Sequence, residues 1–346
     1  MADTRTLPIV TPPGLDADHR HMLRAVELAA GVRTTTSPNP WVGCVIVTAD
    51  GRAAEGATRP PPGPHAEAEA LATARRSGLD PSGATAYVTL EPCSHHGRTP
   101  PCADALVSAG VARVVVGLVD PDPKVSGQGV ERLRAAGIEV ATGVGADVVA
   151  GQLTPYITHR TTGRPHVVLK LAASFDGRTA APDGTSRWIT GEAARADAHH
   201  LRAESDAILV GAGTVRADDP ALTVRHVEGR DPLRVVLGRA PEGAKVHPCL
   251  ELDGDLEKVL DELGQRDVLQ VLVEGGATVA AAFHRAGLVD AYVLYLAPVL
   301  FGGDDAPGLF SGPGAATMSA VWRGRITRVT SLGDDLRVDL LPARST

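Results

Sequence analysis

The stretch Ala84-Thr85-Ala86-Tyr87-Val88-Thr89-Leu90-Glu91-Pro92-Cys93 decides how the first half of the chain is read. Its first seven residues are small, β-branched or apolar and predict a strand over 84–90, which the following Pro92 ends. Upstream, Pro64-His65-Ala66-Glu67 opens an Ala-, Glu- and Leu-rich run that predicts a helix over 65–76. Downstream, Pro100-Pro101-Cys102 opens a second predicted helix to Ala109, and the apolar run Arg113 to Val119 predicts the next strand. Strands and helices that alternate at this spacing imply an α/β domain with a sheet between helical layers.

This reading puts His65, Cys93 and Cys102 at or just before helix starts. Exposed backbone N–H groups and the positive end of the helix dipole favour thiolate over thiol there. One imidazole and two thiolates form a borderline-soft ligand set that suits Zn²⁺. Three protein ligands leave one tetrahedral position for water, which ionises near pH ~7 when bound to the metal. Glu67 stands two residues from His65, placed to move that water's proton. His-x-Glu followed by Pro-Cys and a second Cys is the pattern of zinc deaminases acting on nucleobase rings. Here eight residues, Ser94 to Pro101, separate the cysteines instead of two. A structural zinc centre, with Cys44, His95 or His96 as fourth ligand, is the alternative, and the adjacent Glu67 weighs against it. Cys44 lies in an apolar strand and reads as core, while Cys249 receives no role.

Composition bounds the rest. The 346 residues suggest about two domains. Hydrophobic residues at 43% and charged residues at 22% are ordinary for a globular chain. A net charge of -7 and 3% aromatics argue against a partner made of nucleic acid. No apolar run approaches a membrane span, and four unevenly spaced cysteines are no disulfide framework. The N-terminus shows no secretory signal pattern, so a cytoplasmic protein is expected.

Along the chain, residues 1–15 read as a flexible tail. Asp18 is expected to cap a helix running to Gly31, and Val42 to Val47 to form a strand. Arg59 to Pro64 holds four prolines and is irregular. After the strand over 113–119, a helix is expected over 129–136 and a strand over 138–142. The first domain spans 16–153, a linker 154–164 and a second α/β domain 165–346. In the second domain the expected strands are 165–173, 207–210, 233–237, 269–274 and 291–296. Its expected helices are 192–203 and 277–286, with extended runs around 326–330 and 336–341.

At this point the residues meet a family. The insert Cys93-Ser94-His95-His96-Gly97-Arg98-Thr99-Pro100-Pro101-Cys102 resembles the bifunctional deaminase/reductases of riboflavin biosynthesis. So do Ser37-Pro38-Asn39-Pro40-Trp41-Val42-Gly43 and Asp120-Pro121-Asp122-Pro123. The resemblance implies a cytidine-deaminase-like α/β/α sandwich in which His65, Cys93 and Cys102 hold zinc and Glu67 shuttles the proton. It implies that Asn39 reads the pyrimidine edge and that Arg98 and Asp120 meet the ribosyl phosphate part of the substrate. Thr58 stands where a histidine is often found in the family, and Asp122 where Asn is frequent.

The second half is less explicit. Glu274-Gly275-Gly276-Ala277 and Gly211-Ala212-Gly213-Thr214 are turns between a strand and a helix, compatible with phosphate. Neither is the Gly-x-Gly-x-x-Gly fingerprint. The stretches from Leu169 to Ser174, Asp176 to Ala180, Ser186 to Gly191 and Ala217 to Arg225 resemble the reductase half of the same family. That half has a dihydrofolate-reductase-like α/β fold and uses NADPH. The resemblance implies cofactor contacts by Ala172, Trp188, Thr214, Asp218 and the turn from Gly276. It implies substrate contacts by Ser186, Arg202, Leu222, Arg225 and Glu274. Lys170 reads equally as a group near the reacting sugar and as a solvated lysine. Arg239 is the candidate cation for the extra phosphate of NADP, or a plain surface arginine. The pair His199-His200 reads as surface or packing.

The expectation is therefore a small-molecule enzyme that uses Zn²⁺ and NADPH and forms a homodimer through its second domain. Deamination of a phosphoribosylaminopyrimidine would precede reduction of its ribosyl group. A working deaminase with a reductase half that has lost activity is the alternative.

Overall fold

The computed structural model describes residues 16–94, 100–123 and 125–343. The expected tail, 1–15, and Arg98 lie outside them. The chain divides into two compact units, between Thr161 and Thr162.

In the first unit, α1 (Ala17–Ala30) and α2 (Arg33–Thr36) precede β1 (Gly43–Val47), β2 (Ala53–Ala57) and α3 (Ala66–Arg76). Then come β3 (Thr85–Leu90), α4 (Cys102–Ser108), β4 (Arg113–Leu118), α5 (Gln128–Ala135) and β5 (Glu139–Thr142). Two further helices, α6 (Ala146–Gln152) and α7 (Thr154–Thr162), close the series. The sheet order is β2-β1-β3-β4-β5, with β1 antiparallel to both neighbours and the rest parallel. Helices α1 and α6 cover one face, and α3, α4 and α5 the other.

Glycine sets the distance between these layers. A Cβ on Gly43 would fall 1.9 Å from Ala25 O, and one on Gly56 would fall 2.4 Å from Ala66 O. Both strands therefore approach their helices along bare backbone. Asp16, not the expected Asp18, caps α1 by accepting from His19 N at 2.9 Å. Asp18 instead pairs with Arg113 at 2.8 Å and accepts from Tyr87 Oη at 3.0 Å, tying the helix to the sheet.

The segment expected as a linker, 154–164, is corrected: it is helical over Thr154–Thr162. Its Tyr156 and His159 are buried, so tertiary contacts hold this stretch despite its threonines and Pro155.

The second unit runs β6 (His166–Ser174), α8 (Glu192–Ala203), β7 (Ala207–Gly211), α9 (Ala212–Asp218), β8 (Leu233–Leu237) and β9 (Leu250–Leu252). It continues with α10 (Leu256–Gln265), β10 (Gln270–Val273), α11 (Ala277–Arg285), β11 (Ala291–Ala297), β12 (Gly324–Leu332) and β13 (Asp335–Pro342). The sheet order is β12-β13-β11-β6-β10-β7-β8-β9. Six strands are parallel, and the β12–β13 hairpin pairs antiparallel onto β11.

Strand alternation builds a core on each face. Val167, Leu169, Leu209 and Val271 pack with Leu260 and Phe283 of α10 and α11. Val168, Ile208, Val210 and Leu272 pack with Leu201 and Val215 of α8 and α9. Helices α8 and α11 pack on opposite faces of the sheet, and the carboxyl ends of β6 and β10 between them are where ligands of open α/β sheets commonly bind.

Candidate active sites

His65 is the N-cap of α3, and Cys102 is the first residue of α4. Cys93 follows the end of β3, and its carbonyl accepts from Ala103 N at 3.1 Å. The three donor atoms lie within 4.8 Å of one another. His65 Nδ1 is 3.7 Å from Cys93 Sγ and 3.4 Å from Cys102 Sγ. Nitrogen and sulfur on one tetrahedral zinc stand roughly 3.6 Å apart, so the set fits a zinc ion. The Cys102 thiol and then the His65 ring hydrogen-bond to Cys93 Sγ and hold it low, as thiolate. The Cys102 thiol is pushed up by that neighbouring sulfur and by burial.

Glu67 is 3% exposed. Burial, then the charge of Cys93, pushes its carboxyl up to about 7. A cation on the three ligands pulls it back down.

His65, Cys93 and Glu67 line a cavity of ≈ 270 Å³ shared with Asn39, Thr58, Asp120 and Asp122. Thr58, at the family's frequent histidine position, is buried and accepts from Val42 N at 3.1 Å. Asp120 is 6% exposed, and burial raises its carboxyl above the usual range. Its two oxygens accept from Tyr156 Oη, each at 3.2 Å.

Two features escaped the sequence reading. Glu91 is buried, and its carboxylate accepts from the backbone N–H groups of Asp120, Gly127, Gly129 and Val130 at 2.8–3.1 Å. It thereby caps α5 and ties the Asp120 loop to the chain two residues before Cys93. A Cβ on Gly129 would lie 1.9 Å from Pro92 O, so this junction requires glycine. The second feature is α7, which brings Tyr156 and Arg160 into the cavity wall. The Arg160 guanidinium lies 5.2 Å over the Tyr156 ring and 3.9 Å from Asp122 Oδ2. Its Nε is buried without a hydrogen-bond partner among the described residues.

In the second unit, Glu274 follows the end of β10. Its carboxylate takes a two-pronged contact from Arg202 at 2.7 and 3.0 Å, and Lys170 Nζ lies 3.8 Å away. Burial would raise this carboxyl, but the Arg202 and Lys170 charges outweigh it and hold it at about 2. Arg202 also donates to Thr223 O at 3.2 Å. Lys170 therefore belongs to a charged cluster and is no solvated strand end.

The two glycine turns meet, since Gly276 N donates to Thr214 Oγ1 at 3.3 Å. A Cβ on Gly275 would come within 2.6 Å of two Val279 side-chain atoms, so α11 needs bare backbone at its start. That start, with Gly276 as N-cap and exposed, suits a phosphate of a dinucleotide. Ala172 is on β6 opposite Tyr295. Trp188 is 70% exposed, with the Arg195 guanidinium 4.6 Å from its ring. Arg187 next to it donates to Asp218 O at 2.8 Å. Ser186 is half-buried, and Leu222 is buried. His199 is a buried acceptor for Arg225 N at 3.0 Å, where burial and then the Arg202 charge hold the ring at about 4. Arg239 stands apart at the end of β8, paired with Glu251 at 2.8 Å.

Comparison with known proteins follows the same division. The cytidine and deoxycytidylate deaminase zinc-binding region matches residues 15–118, and the RibD C-terminal domain matches residues 165–338. The riboflavin biosynthesis protein RibD of Escherichia coli is 40% identical over 94% of this chain and 100% of that protein. The Mycobacterium tuberculosis RibD is 44% identical over 92% of this chain and 95% of that protein. Among solved structures, Acinetobacter baumannii RibD superposes with a TM-score of 0.88 at 41% identity, covering 94% of this chain and 99% of that one. A Thermotoga maritima deaminase/reductase gives 0.86 at 38% identity, covering the same shares. No helix among the described residues is long and apolar enough to cross a membrane. With a zinc-type deaminase unit and a reductase unit in one chain, matched along nearly its whole length, the protein belongs to the RibD family of bifunctional riboflavin biosynthesis enzymes.

Proposed function

We propose that the first unit deaminates a diaminohydroxyphosphoribosylaminopyrimidine and that the second reduces the resulting ribosyl group to ribityl. The observation that carries the reading is the buried Glu67 beside His65 and Cys93 in one cavity, with Cys102 completing the ligand cluster behind them. When bound, zinc supplies Lewis acidity toward water, and NADPH supplies the reducing equivalents.

The chain's own residues do the rest. Asn39 reads the edge of the pyrimidine. Glu67 takes a proton from the attacking water and returns it to the exocyclic nitrogen, which leaves as ammonia. Asp120, oriented by Tyr156 and Glu91, accepts hydroxyl groups of the ribose. Among the described residues that line the cavity, Arg160 is the only lysine or arginine. It meets the substrate's phosphate there together with Arg98, replacing the weak contact to Asp122. In the second unit, Arg202 and Arg225 meet the phosphate and Glu274 holds Arg202 and Lys170 in place. Lys170 points its ammonium toward the sugar that is reduced. Ala172, Trp188, Thr214, Asp218 and Gly276 line the cofactor's side, Ser186 and Leu222 the substrate's. Arg239 becomes the reader of the 2′-phosphate on release from Glu251.

The protein works in the cytoplasm on a small molecule, and as a homodimer through the second unit. Exposed apolar residues on the edge strand β12 support that pairing: Ile326 is 59% exposed and Val329 56%. A bulge between Ile326 and Arg328 sets them opposite Leu340 and Val338, hence on one face.

Two variants separate the half-reactions. Glu67→Gln should lose ammonia release by about 10²-fold or more while keeping its zinc and its reduction of pre-deaminated substrate. Arg202→Gln should do the opposite. Loss of both activities in both variants would sink the assignment.

A further inference from the structure

His247, Cys249 and Glu251 lie outside both sites, yet each brings a donor atom within 4.8 Å of the other two. His247 and Cys249 flank the bend at Pro248, and Glu251 follows in β9, the edge strand of the sheet, so the turn into the strand brings the three side chains together. The imidazole is already oriented. His247 Nε2 lies 3.1 Å from Pro241 O. A carbonyl only accepts, so Nε2 carries the proton and Nδ1 keeps its lone pair. Nδ1 faces Cys249 Sγ at 3.5 Å. That spacing falls between the two that His65 makes with Cys93 and Cys102, 3.7 and 3.4 Å. A carbonyl behind the ring that fixes its tautomer is the support metal-binding histidines have. Glu251 is oriented as well, with Oε1 accepting from Ala240 N at 2.8 Å and Oε2 from Arg239 at 2.8 Å.

We propose that His247, Cys249 and Glu251 form a second site for a divalent transition metal of the zinc class, carried by the reductase unit. Imidazole, thiolate and carboxylate together favour such an ion over Mg²⁺ or Ca²⁺, which prefer oxygen alone. Three protein donors with His247 exposed leave the remaining coordination to water. Arg239 competes with the metal for Glu251 and repels it. Occupancy of the site and release of Arg239 are therefore linked, and the linkage runs both ways.

The test is metal titration of the full-length protein, stripped with a chelator and kept reduced, with Co²⁺ as the probe. The wild type should take up two ions per chain. Cys249→Ser and His247→Gln should each take up one and still release ammonia when reloaded with zinc, which shows that they fold. Arg239→Gln should bind the second ion about tenfold more tightly, since a neighbouring positive charge is gone. A wild type that binds one ion, or a Cys249→Ser variant that still binds two, overturns the proposal. The Cys249 and His247 side chains would then share a plain hydrogen bond.

Discussion

At Glu91 one carboxylate satisfies four backbone N–H groups at the edge of the zinc site. Glu91→Ala would leave those buried donors without an acceptor and should cost at least about 3 kcal/mol, read by urea denaturation. Nothing in the signature Glu-Pro-Cys announces this role, because the partners lie 29 to 39 residues away. His65, Cys93, Cys102 and Glu67 were legible because ligand chemistry demands those residue types whatever the fold. Glu274 carries a pH signature. Its folded value of about 2 lies below the ordinary 4.5. The stability it contributes is thus complete above 4.5 and is lost as pH falls toward about 2. The urea midpoint of the second unit should decline through that window, and Glu274→Gln should flatten the decline.

At the scale of elements, α7 separates what periodicity reveals from what packing decides. Its threonines and Pro155 read as a linker, yet Tyr156 is 5% exposed against Asp120. Arg160→Gln should raise KM for the phosphorylated substrate about tenfold, the worth of one charge-assisted contact. It should leave kcat, and KM for a dephosphorylated analogue, unchanged; an equal loss on both substrates would mean a structural role. Strand β2 was missed because Ala53–Ala57 is made of small residues and glutamate, poor in β-branched side chains. Helix α10 did carry a legible signal that was passed over, with Asp255 as N-cap and Val259, Leu260 and Leu263 on one buried face. Strand β9, three residues long, gives too short a pattern to read, and with it went the grouping of His247, Cys249 and Glu251. The dimer proposed through β12 predicts that light scattering finds two chains for the wild type and one for Ile326→Asp; a monomeric wild type, or a dimer that persists in the variant, would contradict it.

At the scale of the whole molecule, the chain carries two α/β units with chemistry of different legibility. The first announces itself through metal ligands at helix starts. The second draws its charged cluster from mid-β6, the last turn of α8 and the residue after β10, so Lys170, Arg202 and Glu274 meet from three distant stretches. The family resemblance, rather than spacing, made Arg202 and Glu274 nameable in advance, whereas Lys170 stood out only as a lysine in an apolar strand run. The most direct measurement follows ammonia release and NADPH oxidation in one tube. It uses zinc-replete full-length protein, with the pyrimidine substrate generated from GTP by a cyclohydrolase, and NADH as control. Ammonia should appear first and NADPH should then be consumed in equal amount. Ammonia without NADPH consumption would contradict the reductase assignment, and absence of ammonia would contradict the account at its root.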